Sequence, residues 1–195
     1  GRCYQGSHGW ELGRVPPRRK PPQPGRALRC VPVRLGLRRV MPGDDLPSDF
    51  IRAALVPELL VSRLDASLAF WCGLCGFGVA YQRPEDRFAY LDRAGAQVML
   101  EERLVPGRHW VTGALEPPFG RGINMQITVG DVAPVLDALQ RAAWPLFMDV
   151  EEAWYRAGAQ ETGVRQFLVQ DPDGYLLRFS QGLGLRLVTR PGRDS

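Results

Sequence analysis

Apolar positions along the chain recur with two periods, one suited to strands and one to helices, and the order in which these alternate occurs twice. Residues 55–61 (LVPELLV) form a short β-type run, and residues 63–74 (RLDASLAFWCGL) place Leu64, Leu68, Trp71 and Leu74 at helical spacing. Gly76 ends that helix, and residues 77–82, 88–92 and 96–101 supply three more strands, separated by the turn signals Arg83-Pro84-Glu85-Asp86 and Arg93-Ala94-Gly95. The plan then repeats. A strand over 123–129 precedes a helix over 132–143 with Val135, Leu136 and Leu139 on one face, and strands follow near 145–150, 165–170 and 175–180. Asp171-Pro172-Asp173-Gly174 is a strong hairpin signal between the last two.

A repeated β-α-β-β-β unit means two modules that each expose one apolar sheet face and must cover it together. The expected fold is therefore α+β, with two tandem βαβββ modules forming curved mixed sheets around a cleft. The domain is expected over residues 54–184, with a flexible tail over 185–195. Such a trough is a natural ligand site.

Composition changes the picture mainly at the start of the chain. Residues 1–40 hold six Pro, six Gly, ten of the 25 basic residues and one of the 21 acidic ones. That segment cannot bury enough surface to offset chain entropy, so residues 1–53 are read as a disordered basic lead followed by a polar lead-in. Met41 could be the natural first residue, with a non-native extension before it. The alternatives for the lead are a basic nucleic-acid arm or an Arg-rich transit peptide, but it shows neither aromatic interleaving nor an amphipathic period. Residues 41–195 keep fifteen bases against twenty acids, a balance of −5, so the folded part attracts cations rather than phosphates. No apolar run approaches the ~20 residues of a membrane span. The expectation is a cytoplasmic protein with no nucleic-acid or membrane partner.

Four stretches carry a resemblance: VPELLVSRLDASLAFWCGLCGFGVAY, FAYLDRAGAQVMLEE, GRGINMQITVGDV and RQFLVQDPDGYLLRFSQ, in that order over residues 55–181. Together they resemble the vicinal oxygen chelate (glyoxalase/bleomycin resistance/dioxygenase) superfamily, and within it the bleomycin resistance protein branch. The resemblance implies metal ligands on the first and last strands of each half, at positions that fall here on Val56, Met99, Asn124 and Arg178. Val cannot coordinate, Met is a soft thioether, Asn is neutral and Arg brings positive charge, so no metal or other cofactor is expected. The two halves align with 68 residues between Val56 and Asn124 and 79 between Met99 and Arg178. The eleven extra residues of the second half are expected in a loop around 151–162.

The resemblance further implies a homodimer that sequesters bleomycin-type drugs without chemistry. Strand alternation puts Glu58 and Leu60 on one face with Val56, Asn124 and Gln126 on another with Thr128, and Arg178 with Ser180. With Met99, these faces would line the trough. Glu58 and Arg178 could equally form an internal ion pair on adjacent strands. Trp110, in a Pro/Gly-rich loop, and Trp154 beside Tyr155 in the extra segment offer stacking surface for a flat ligand, or simply anchor their loops. The expected ligand is a cationic aromatic small molecule of bleomycin type. The alternatives are a metal-independent enzyme, an isomerase or ring-modifying protein using Glu58 as base and Arg178 as anion holder, and a binder of another metabolite. Trp71-Cys72-Gly73-Leu74-Cys75 imitates a redox dithiol, but it lies at the end of a helix, where the macrodipole cannot lower a thiol pKa.

Overall fold

Alternation in the first half produces β1 (Glu58–Val61), α1 (Leu64–Trp71), β2 (Gly78–Arg83), β3 (Phe88–Arg93) and β4 (Ala96–Glu102). The second half produces β5 (Asn124–Val129), α2 (Ala133–Arg141), β6 (Leu146–Ala157), β7 (Gln160–Gln170) and β8 (Leu176–Leu187). These elements come from a computed structural model that describes residues 50–103 and 110–188. Each half makes one four-stranded mixed sheet, in the orders β1-β4-β3-β2 and β5-β8-β7-β6. The outer pairs β1/β4 and β5/β8 are parallel, and the remaining pairs are antiparallel. The tandem βαβββ fold read from the pattern is the fold observed. No described helix is long and apolar enough to cross a membrane.

The register shows how the halves correspond. Glu58 pairs with Met99 across β1 and β4, and Gln126 pairs with Arg178 across β5 and β8, which are the same spacings of 68 and 79 residues. One face of each sheet builds the shared core. Leu59, Val61, Leu91, Val98 and Leu100 of the first half join Ile127, Phe167, Val169, Leu177 and Phe179 of the second in one apolar cluster. Fully burying a side chain of this size stabilises the fold by roughly 1.5–3 kcal/mol.

The helices repeat the correspondence. Neither N-cap residue bonds its own helix through a side chain. Instead the strand that ends each module supplies the cap: Glu102 Oε2 accepts from the Leu64 N–H at 2.9 Å, and Gln181 Oε1 accepts from the Val132 N–H at 3.2 Å. Glu102 and Gln181 are again 79 apart, and Leu64 and Val132 68. Orphan donors at a helix start need such partners, and here tertiary structure supplies them.

The turn at residues 171–174 fastens the halves together. Asp171 Oδ1 accepts from the N–H groups of Asp173 and Tyr175, and Asp171 Oδ2 accepts from the buried Trp71 indole at 3.2 Å. Asp173 Oδ2 accepts from the Ser62 N–H at 2.9 Å, and the Tyr175 hydroxyl donates to the Leu60 carbonyl at 3.0 Å. Gly174 has φ of 94°, and a Cβ there would sit 2.4 Å from Pro118 Cβ, so only glycine fits this crossing.

Three expectations are corrected. The eleven extra residues do not form a loop: they lengthen the β6/β7 hairpin, whose strands have 12 and 11 residues against six each in β2 and β3. The last strand continues through Leu187, past the expected end at 184. Residues 50–53, assigned to the lead-in, are packed on the first sheet. The basic lead over 1–40, Met41, both histidines and residues 189–195 lie outside the described residues.

Candidate functional site

The face of each sheet opposite the core carries the candidate side chains. On the first sheet one cross-strand row runs Glu58, Met99, Tyr90, Tyr81, and the next runs Leu60, Glu101, Phe88, Arg83. On the second sheet Gln126, Arg178 and Leu168 form a row, beside Thr128, Ser180 and Gln166.

A cavity of about 390 Å3 opens where β1 meets the loop over 110–121 and the start of β8. Its lining includes Glu58, Leu60, Trp110, Phe119, Arg121 and Tyr175. The loop keeps its shape through local bonds. The Phe119 N–H donates to the Asp173 carbonyl at 2.8 Å, and the Phe119 and Tyr175 rings meet edge to face at 6.0 Å. Arg121 is committed to the loop as well: its guanidinium donates to the carbonyls of Glu116, Pro117 and Pro118 and lies 3.6 Å from the Glu116 carboxylate. Glu58 is the other carboxylate of the lining. Trp110 is 77% exposed, a large aromatic face at the rim. Wall, rim and charge together suit a flat cation.

Of the residues singled out in the sequence, Glu58, Leu60 and Trp110 come together in this cavity. Met99 stands beside Glu58 in the row just described. Asn124 and Gln126 are exposed on β5, and Gln126 faces Arg178 on β8, outside the cavity lining. Glu58 and Arg178 belong to different sheets, so the ion pair on adjacent strands is not formed. The Nε of Arg178 is buried without a hydrogen-bond partner. Trp154 and Tyr155 are strand residues of β6 rather than loop aromatics. The Trp154 ring packs against Gly163, where an added Cβ would lie 2.6 Å from it, and carries the Arg186 guanidinium 4.1 Å from its centroid. The Tyr155 hydroxyl accepts from Gln166 Nε2 at 2.9 Å. Both rings serve the hairpin, not the cavity. Sequence reasoning missed Phe119, Arg121 and Tyr175; an aromatic and an Arg between Pro117-Pro118 and Gly122 were the available signal.

The metal corners implied by the resemblance do not fit a divalent ion. Val56 and Asn124 offer at most one neutral oxygen, Met99 a thioether, and the half-buried Arg178 a positive charge. Among the described residues no three His, Cys, Asp or Glu side chains gather as a ligand set. The dithiol is likewise unsuited to redox work. Burial pushes the half-buried Cys72 thiol up to about 11 and raises that of the fully buried Cys75 as well, the opposite of an activated thiolate.

A second cavity of about 460 Å3 lies between α2 and β6, lined by Leu136, Leu139, Trp144, Leu146, Val150 and Arg165 among others. It contains none of the candidate residues.

No protein-family model and no curated protein matches the sequence. Solved structures do. TioX from Micromonospora sp. ML1 is 22% identical, with 69% of this chain covering 100% of that one at a TM-score of 0.54. The virulence protein STM3117 from Salmonella typhimurium is 16% identical, with 68% of this chain covering 98% of that one at a TM-score of 0.51. These two likenesses speak for the fold. A glyoxalase/bleomycin resistance protein/dioxygenase superfamily member from Vibrio splendidus 12B01 is 35% identical, with 65% of this chain covering 95% of that one at a TM-score of 0.31. Membership rests on that identity along nearly the whole relative, and the chain belongs to the glyoxalase/bleomycin resistance protein/dioxygenase superfamily.

Proposed function

We propose that this protein is a metal-free, stoichiometric binder of a cationic aromatic small molecule of the bleomycin type, acting by sequestration without chemical change, and that two copies associate to do so. The cavity beside Glu58 and Trp110 carries this reading: a carboxylate and an exposed indole both line it. The −5 balance of residues 41–195 favours approach of a cation. Calorimetric titration of the full chain with bleomycin is the direct test. Heat should saturate at one drug per site, and Trp110→Ala or Glu58→Gln should weaken binding about tenfold, a loss of ~1.4 kcal/mol. Absence of heat at micromolar drug would refute the reading. Sedimentation of the free chain tests the pairing of copies.

A second reading has one observation in its favour. The buried Nε of Arg178 has no partner, and such a donor suits an anionic group of a substrate. An enzyme would turn over excess ligand, whereas a binder stops at one equivalent.

A further inference from the structure

The face of the first sheet is already occupied, and its occupant belongs to the same chain. Residues 50–53 lie across Tyr81, Tyr90 and Gln97. Gln97 grips their backbone from two sides: Oε1 accepts from the Ala53 N–H at 2.7 Å, and Nε2 donates to the Ile51 carbonyl at 2.8 Å. The Tyr90 hydroxyl also donates to Gln97 Oε1, at 2.7 Å, which fixes the amide so that it presents one acceptor and one donor outward whether or not the segment is in place. The Phe50 ring meets Tyr90 edge to face at 5.6 Å. Arg52 brings its guanidinium within 5.9 Å of the centroids of both Tyr81 and Tyr90, which are themselves stacked at 5.2 Å.

This arrangement has the parts of a recognition site. A side-chain amide that bonds C=O and N–H two residues apart reads an extended backbone as a neighbouring strand would. A pair of stacked tyrosines receives a cation and an aromatic edge. Gln97 and Tyr90 are 8% and 2% exposed, and burial of a polar amide persists only with its bonds made. Nothing in the strand pattern calls for Gln97 and a tyrosine pair at these positions. In the second sheet, the register counterpart of Tyr90 opposite Arg178 is Leu168.

We propose that residues 50–53 are an intramolecular strap closing a recognition site on the first sheet for an extended, amide-bearing ligand with an aromatic group and a cation, and that such a ligand binds there by displacing the strap. The strap is itself an example of that chemistry. Because Tyr81, Tyr90, Met99 and Glu58 stand in one row, the strap covers the far end of the face whose near end lines the cavity. The proposal extends the ligand site of the preceding section, but its ligand class is taken from the strap itself.

The probe is the capped tetrapeptide acetyl-Phe-Ile-Arg-Ala-amide, titrated into the full chain. Affinity for a site open in only a fraction of molecules falls by that fraction, so loosening the strap must strengthen binding. The double variant Phe50→Ala/Arg52→Ala removes side chains that are half-buried and exposed and leaves the domain's core untouched. It should bind the peptide about tenfold more tightly than the unaltered chain. Adding Gln97→Leu, or Tyr81→Ala where the Gln97 variant does not fold, should reverse that gain. Equal affinity of the unaltered and strap-loosened chains, or a gain that survives both site substitutions, would overturn the proposal. The two readings fail separately: drug binding that depends on Trp110 alongside an indifferent peptide defeats only the strap, and the converse defeats only the drug.

Discussion

The two halves of this protein share one plan and differ on one face. At core-facing positions the correspondence is close: Ala89, Leu91, Val98 and Leu100 in β3 and β4 match Phe167, Val169, Leu177 and Phe179 in β7 and β8, all buried and all apolar. On the opposite face it breaks down. Phe88, Tyr90 and Met99 of the first sheet stand where the second has Gln166, Leu168 and Arg178. A core position must fill volume without polar atoms, which restricts it in both halves alike. A trough position answers only to what lies in the trough. The first sheet has become an aromatic platform with a strap on it, and the second a polar surface whose strands extend into a long hairpin.

The largest expected effects fall on the shared core. Phe179→Ala should cost about 3–5 kcal/mol and the equivalent Leu100→Ala about 2–5 kcal/mol. If the halves form one cooperative unit, each substitution lowers a single urea transition, seen alike by tryptophan fluorescence and far-ultraviolet circular dichroism. Two separated transitions in either variant would mean that the modules fold apart and that the contacts around Trp71 and Asp171 do not couple them.

Next in size is the pH dependence of the turn that joins them. Burial raises the Asp171 carboxyl to about 6, outweighing the N–H groups donated by Tyr175, Trp71 and Asp173, and the neighbouring Asp173 carboxylate adds to the rise. The folded chain therefore holds a proton that the unfolded chain has lost. Stability from this group is complete below an unfolded pKa near 3.8 and disappears as pH rises through about 6, a change of roughly 3 kcal/mol for two units. Glu102 acts in the opposite sense. The Leu64 N–H and then Arg87 hold its carboxyl below the ordinary range, so its contribution is present at neutral pH and lost on acidification below that range. Comparison with Asp171→Asn isolates the first effect. The stability difference between the two proteins should change between pH 4 and 7, and a flat difference would contradict the assignment.

How much of this was legible in the sequence follows the same division. Core-facing alternation is plain in Asn-Met-Gln-Ile-Thr-Val of β5, and the spacings of 68 and 79 residues were open to direct count. The hairpin extension was not. Glu151, Glu152, Arg156, Gln160 and Glu161 give that stretch a polar look because it has little core to face, and pairing across β7 decides its structure. The cavity loop has no period to read. The strap depends on a contact between residues 44 and 46 positions apart, and no local rule connects Ala53 or Ile51 to Gln97. Of the residues that line the cavity, Glu58 and Trp110 could be singled out because charge and loop aromatics are visible in one dimension, and Tyr175 could not because its spacing also suits a strand.

The smallest effect tests the helix caps, where the halves agree in geometry and differ in charge. Glu102 gives α1 a carboxylate that accepts from the Leu64 N–H, complements the helix dipole and pairs with Arg87 at 2.7 Å, while Gln181 gives α2 a neutral amide. Glu102→Gln keeps an acceptor oxygen and loses the charge, so it should cost about 0.5–1 kcal/mol. The reverse change, Gln181→Glu, should gain nothing beyond about 0.5 kcal/mol. Asp131 already places a carboxylate at the start of α2, accepting from the Ala133 N–H at 2.9 Å, and a second one there meets repulsion that offsets its attraction to the dipole. Paired urea titrations at pH 7 and low salt, where exposed charges act most strongly, should show the first variant less stable and the second unchanged. A clear gain from Gln181→Glu would mean that Asp131 leaves the α2 terminus uncompensated, and that the second half departs from the first in its electrostatics as well as in its trough.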